Sequence, residues 1–231
     1  MQGLADCGES VTLLVLVCFP CSRIRRPFMS TKLATAFLDR VQKSGLVSGE
    51  RLSQLQQELE TQGVDLDNPT AIAGALVDMD ELTDWQAEKL LQGKHKGFFL
   101  GSYRLQRPLG KGGMGAVFLA RHVVMRRQCA IKVLPQTQIQ KHSSVLDRFI
   151  LESQAVASLD HHNIVRAYDI SKEVKDNKEI HYLVMEYVAG EPADTFAARL
   201  DLEERLELFI RIGQAVEHAH ERGFVHRDLK P

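Results

Sequence analysis

The feature that most constrains the fold of this chain is the glycine pattern G-x-G-x-x-G, which lies within residues 109–120. This spacing occurs where a strand turns into a helix at a dinucleotide, and also where two strands form a hairpin over a nucleotide. An apolar, β-prone run follows Gly115 directly, and a polar turn at 126–127 separates it from a second such run at 128–134. Because a strand and not a helix follows the glycines, the pattern predicts an antiparallel hairpin.

A lysine, Lys132, lies on the second strand of this predicted hairpin, seventeen residues after the last glycine. Backbone N–H groups of residues without a Cβ atom can approach phosphate oxygens closely, and a nearby lysine can pair with the same phosphates. A helical pattern at 144–159 offers an anionic partner for the lysine in Glu152, one turn from the apolar Phe149 and Val156. Taken alone, Glu152 is more typical of a solvated acid on a helix surface.

Three more motifs follow in order: DHHNIV at 160–165, HYLVMEYVAGE at 181–191 and VHRDLKP at 225–231. With the glycine pattern and the CAIK motif around Lys132, they resemble the motifs of eukaryotic-type (Hanks-type) bacterial serine/threonine protein kinases. The resemblance covers about residues 103–231. It implies an α+β fold, in which an antiparallel sheet and one helix form an N-terminal lobe and a helical C-terminal lobe begins.

The resemblance implies roles for four catalytic residues. Lys132 binds ATP phosphates, and Glu152 holds Lys132 in place through an ion pair. Asp228 orients the substrate hydroxyl and accepts its proton, while Lys230 neutralises charge on the transferred phosphoryl group. A lysine at position 230 favours serine/threonine kinases over tyrosine kinases. The implied reaction transfers the γ-phosphoryl group of ATP to protein hydroxyls with Mg²⁺, so ATP and protein substrates are the expected partners.

The same resemblance implies a nucleotide-binding set. Met185 is the gatekeeper, backbone groups of Glu186 and Val188 bond the adenine edge, and the side chains of Ala130 and Val117 enclose the ring. The whole expected set is Leu109, Gly110, Lys111, Gly112, Gly113, Met114, Gly115, Ala116, Val117, Ala130, Lys132, Met185, Glu186 and Val188.

The sequence departs from the family pattern in three ways. Cys129 stands where valine is usual and keeps a small apolar side chain, while Ala193 replaces a leucine and predicts looser packing after the hinge. The chain ends at Pro231, so the asparagine and DFG-type aspartate that hold Mg²⁺ in this family do not follow within its 231 residues. We therefore expect a kinase fragment that is inactive alone and assign no metal ligand; the alternative is a non-catalytic ATP-binding or interaction protein.

Residues 29–97 predict a small all-α module that ends in a basic linker, KHKG, at 94–97. Ser30, Ser48, Asn68 and Thr83 are predicted to start the four helices as N-caps, and Gln86 completes a capping-box pattern with Thr83. The predicted apolar faces carry Leu33, Phe37, Val41, Leu52, Leu55, Leu59, Ile72, Ala73, Leu76, Val77 and Leu90. The module lacks a cluster of catalytic groups; it either only packs its own core or also binds a protein partner.

Composition excludes some classes of protein. A net charge of −1, with 44% apolar and 26% charged residues, is ordinary for a soluble globular protein and argues against nucleic-acid binding. The four cysteines do not predict a disulfide framework. The Cys18/Cys21 pair has CxxC spacing but lacks the second pair that would complete a zinc site. We therefore expect free thiols in a reducing cytoplasm. The apolar run at 11–19 is too short for a membrane span, and residues 1–28 are predicted to be a leader or an upstream start artefact.

Overall fold

The computed structural model describes residues 30–112, 115–141, 144–175 and 178–225. The predicted leader at 1–28, with Cys7, Cys18 and Cys21, lies outside these residues, as do Gly113, Met114, Asp228 and Lys230. The helices are α1 (Ser30–Ser44), α2 (Gly49–Thr61), α3 (Pro69–Asp78), α4 (Asp84–Leu91), α5 (Gln136–Lys141), α6 (Ser144–Ala157), α7 (Ala193–Ala197) and α8 (Leu202–Glu221). The strands are β1 (Phe99–Leu100), β2 (Tyr103–Gly112), β3 (Gly115–His122), β4 (Gln128–Leu134), β5 (Ala167–Lys175) and β6 (Lys178–Glu186).

The strands form one antiparallel sheet in the order β1-β2-β3-β4-β6-β5. One sheet face carries an apolar layer that includes Leu105, Ile131 and Val184. On the opposite face, Leu134 and Leu183 pack with Phe149 of α6. Helices before and after one antiparallel sheet confirm the predicted α+β class, and within the described ranges each helix is too short or too polar to cross a bilayer.

The first four helices form what we call the helical module, and α2, α3 and α4 begin directly after their predicted caps, whereas α1 begins at Ser30 itself, the residue predicted to cap it. The Ser48 hydroxyl accepts a hydrogen bond from a first-turn N–H of α2, and the Asn68 side chain accepts two at the start of α3. Thr83 and Gln86 form both hydrogen bonds of a capping box on α4. Each cap satisfies N–H groups that have no partner inside the helix, so the local sequence determines where these helices start.

The helical module has its own apolar core, which includes Phe37, Leu55, Leu59, Ile72, Leu76 and Leu90. The prediction for Leu33 is wrong, because this side chain is 55% exposed while Ala34 is buried. At 3.6 residues per turn, the buried face of α1 is centred between Phe37 and Val41, and Ala34 lies nearer to that centre than Leu33 does. The independent folding of the module stays a prediction.

The helical module lies against the open edge of β2. Strand β1 pairs with β2 only at residues 103–104, so the carbonyl groups of the next residues are left without a strand partner on that side. The Gln86 side chain donates a hydrogen bond to the Leu105 carbonyl at 2.6 Å, and the Thr83 hydroxyl donates to the Gln106 carbonyl at 2.5 Å. Side chains of the module thus take the place of a neighbouring strand.

Arg104 and Trp85 complete this interface. The Arg104 guanidinium donates to the Glu81 carbonyl at 2.6 Å and to the Gln86 side-chain oxygen at 2.9 Å. Trp85 of α4 contacts Phe118 of β3, with 5.7 Å between ring centroids. Because Gln86 is fully buried and its amide group is hydrogen-bonded on both sides, the interface depends on a closed polar network as well as on apolar packing.

Candidate active site

The predicted glycine hairpin is formed by β2 and β3. Gly112 pairs with Gly115, and Gly110 pairs with Val117 after a register shift. Gly115 has a φ of +151°, and a Cβ atom there would lie 2.0 Å from the Val133 carbonyl oxygen, so only glycine fits. Added Cβ atoms at Gly110 and Gly112 would meet nothing within 4 Å, which leaves open space beside the backbone for an approaching ligand.

Strand register brings four predicted site residues to one sheet face. Val117 lies opposite Lys132, and Ala130 lies opposite Met185. Residues two apart on a strand share a face, and directly opposed residues also share a face, so all four side chains leave the sheet on the same side. This is the side on which Leu183 packs against Phe149 of α6.

Helix α6 places Glu152 next to the strand lysine. The Lys132 Nζ atom lies 3.1 Å from a Glu152 carboxylate oxygen and 5.8 Å from the ring centroid of Phe149. The two charged side chains are 28% and 44% exposed, so this pair contributes about 0–1 kcal/mol to folding. Its effect is positional, since it fixes an ammonium group in front of the sheet.

A cavity of about 650 Å³ lies between this sheet face, α6 and α8. Lys132, Glu152 and Met185 line it, together with Leu183 and Ile212, which sequence reasoning did not select for the site. The alternation of β6 could have identified Leu183, which is two residues before Met185. Ile212 reaches the cavity from a distant helix, so no local pattern indicates it. The lining of the cavity combines apolar side chains with the Lys132–Glu152 ion pair, and small-molecule and cofactor sites commonly have such a lining.

The other predicted nucleotide-binding residues that the structure describes lie on the adjoining hairpin, on β4 and at the hinge, and they are not among the lining residues of the cavity. The Glu186 N–H group donates to the Arg166 carbonyl at 2.8 Å, so a ligand could use only the carbonyl of Glu186. Strand β6 ends at this residue, and Val188 is exposed in the segment that follows. Among the described residues, no group of three or more histidine, cysteine or acidic side chains could hold a metal ion.

Cys129 is buried in the sheet. Burial raises the pKa of its thiol to about 11, and its Sγ atom lies 3.7 Å from the Ala120 carbonyl oxygen. The thiol is therefore neutral at physiological pH and acts as a small core side chain, in agreement with its predicted role as a substitute for valine.

Comparison with known proteins agrees with this geometry. Serine/threonine-protein kinase PksC of Streptomyces coelicolor is 38% identical over 149 residues, which cover 61% of this chain and 27% of the relative. PrkC of Bacillus subtilis is 38% identical over 134 residues (57% of this chain, 20% of the relative), and SIK1 of Mus musculus is 38% identical over 142 residues (60% and 18%). The chain thus spans about a fifth to a quarter of the length of these curated relatives.

The match to a whole family covers more than half of the chain. Residues 103–231 match the family described as protein kinase domain, from the first residue of β2 to the end of the sequence. The glycine hairpin, the strand lysine paired with the helix glutamate and the cavity in front of them lie within the matched region. The chain belongs to the protein kinase family.

Proposed function

We propose that this chain carries the ATP-binding part of a serine/threonine protein kinase, which transfers the γ-phosphoryl group of ATP to protein hydroxyls. The observation that carries the proposal is the 3.1 Å ion pair between Lys132 and Glu152 at the wall of the cavity. The pair contributes little to stability, and its geometry suits an ammonium group that is held ready for phosphate oxygens.

The described residues fit ATP. The cavity offers apolar contacts from Leu183 and Met185 to an adenine ring, and the open backbone at Gly110 and Gly112 admits phosphates. Bound ATP supplies the phosphoryl group that is transferred. Lys132 would orient the phosphates and so position the reacting atoms, without forming a covalent bond to them.

The later catalytic roles rest on the sequence motif. We propose that Asp228 orients the substrate hydroxyl and accepts its proton, and that Lys230 neutralises charge that develops on the phosphoryl group. The family uses Mg²⁺, but we assign no ligand for it in this chain. A protein partner of the helical module and a cytoplasmic location stay predictions.

A fluorescent ATP analogue, titrated into the purified chain, tests the nucleotide site. We expect saturable binding, and Lys132→Met should weaken it by about tenfold or more because one charge-assisted contact to phosphate is lost. Lys172→Met is the matched control, since Lys172 is also a strand lysine in an ion pair, with Glu179 at 2.7 Å. Equal affinities of the wild type and Lys132→Met would refute the proposed role of Lys132.

Radiolabel transfer from γ-labelled ATP tests the reaction itself, in the protein purified at its natural length from its own source. We expect label on serine and threonine of a generic protein substrate, and loss of the label with Asp228→Asn. ATP binding without any transfer would favour the alternative of a non-catalytic ATP-binding protein.

A further inference from the structure

A second cleft, of about 470 Å³, lies between the helical module and the start of the β2–β3 hairpin, and we call it the junction cleft. Module residues Leu46 and Leu82 line it on one side, and Arg104, Arg121 and Arg126 line it on the other. It contains none of the residues that line the cavity beside Lys132. Its volume is within the range of small-molecule sites.

The strand register forces two of these arginines together. Arg104 on β2 lies directly opposite Arg121 on β3, and directly opposed side chains on antiparallel strands leave the same face only about 5 Å apart. Like charges at such positions are destabilising. Burial lowers the pKa of Arg104, and the charges of Arg121 and Arg126 act in the same direction while Glu81 opposes them.

The turn after β3 adds the third arginine. Arg126 has a φ of +59°, a left-handed conformation that is uncommon for a residue with a side chain. Its carbonyl accepts a hydrogen bond from the Arg121 Nε–H group at 3.0 Å, and its N–H group donates to the His122 carbonyl at 2.9 Å. The turn therefore holds Arg126 beside Arg121.

The positive charge of the junction cleft is only partly balanced within the described part of the chain, because the Glu81 carboxylate that acts on Arg104 is itself paired with Arg51. The ion pairs found there do not include Arg104, Arg121 or Arg126. Asp80 is the one acidic residue among the described lining residues, so three arginines face one carboxylate. Arg104 already donates to the module, whereas Arg121 and Arg126 are exposed. Their guanidinium groups suit bidentate contact with phosphate.

We propose that the junction cleft binds a small phosphorylated molecule with an aromatic or apolar part. Its phosphate contacts Arg121 and Arg126, and its apolar part packs against Phe99, Leu82 and Leu46, which line the same cleft. Such a ligand touches the module and the sheet at once, so binding stabilises their contact by mass action.

Calorimetric titration of the 231-residue chain with phenyl phosphate tests the site. We expect saturable binding of one molecule per chain and no binding of phenol, which has the ring without the phosphate. Arg121→Gln and Arg126→Gln should each weaken binding by about tenfold, because each removes a charge-assisted contact. Arg148→Gln is the matched control, since Arg148 is an exposed arginine on α6, away from the cleft.

Four outcomes would overturn the proposal. The first is the absence of saturable binding to the folded wild type. The second is unchanged affinity in the Arg121→Gln/Arg126→Gln double variant. The third is loss of binding with Lys132→Met, which would place the phosphate in the cavity beside Lys132. The fourth is binding of a phosphoserine peptide without any binding of phenyl phosphate, which would indicate a protein ligand. Circular dichroism of each variant checks that weaker binding in the titration does not come from unfolding of the protein.

Discussion

Helices α4 and α8 begin with the same kind of cap but differ in how much of each helix is buried. Each starts with a capping box, formed by Thr83 with Gln86 in α4 and by Asp201 with Glu204 in α8. Helix α4 buries Gln86, Ala87 and Leu90 between the module core and the sheet, whereas α8 buries none of its residues. Caps and apolar spacing therefore determine where a helix forms, but burial requires neighbouring elements that cover its apolar face.

The largest effect is expected from apolar truncation in the two regions. Leu55→Ala removes a fully buried side chain from the module core and should lower the free energy of unfolding by about 2–5 kcal/mol. Phe209→Ala removes a side chain of α8 that is 68% exposed and should change it by roughly 0.5 kcal/mol or less. Urea denaturation followed by circular dichroism measures both, and equal losses would show that α8 is buried in solution.

Truncation of a polar side chain in each region should change the free energy of unfolding by an intermediate amount. Gln86→Ala leaves the Leu105 carbonyl without its side-chain partner in a buried interface and removes one acceptor of the Arg104 guanidinium, which keeps its bond to the Glu81 carbonyl; we expect a cost of about 1–3 kcal/mol. Gln214→Ala on the exposed surface of α8 is the matched control, with an expected change within about 0.5 kcal/mol. A Gln86→Ala protein as stable as the control would mean that the polar network does not hold the module to the sheet.

The smallest difference in stability is expected between the variants that remove the two N-caps. Asp201→Ala and Thr83→Ala each remove a cap, and each should cost about 1 kcal/mol. Thr83→Ala should cost up to about 1 kcal/mol more, because its hydroxyl also donates to the Gln106 carbonyl. Thermal unfolding of the two variants, side by side, measures the difference, and a larger loss for Asp201→Ala would contradict this reasoning.

Sequence patterns predicted the parts of the fold that depend on neighbours along the chain. The helix starts at Ser48, Asn68 and Thr83 follow from capping chemistry, and the hairpin follows from a strand directly after Gly115. The family resemblance brought Lys132 and Glu152 together as an expected pair, and the structure places their charged atoms 3.1 Å apart.

Contacts between distant segments could not be predicted in the same way. Nothing local to Gln86 indicates that its amide group bonds the carbonyl of Leu105, nineteen residues later. Strand β1 has two residues and carries no periodicity, so no pattern indicates it. The junction cleft likewise depends on a register that places Arg104 opposite Arg121, and register is a property of the folded sheet.

The covered edge of β2 has a practical consequence. The family match begins at residue 103, so a protein trimmed to that boundary would lose the whole helical module and β1. The carbonyls of Leu105 and Gln106, which now accept hydrogen bonds from Gln86 and Thr83, would then form part of an open strand edge. Open edges pair with other chains, so we expect the trimmed protein to associate through this edge of its sheet, which the helical module covers in the longer chain.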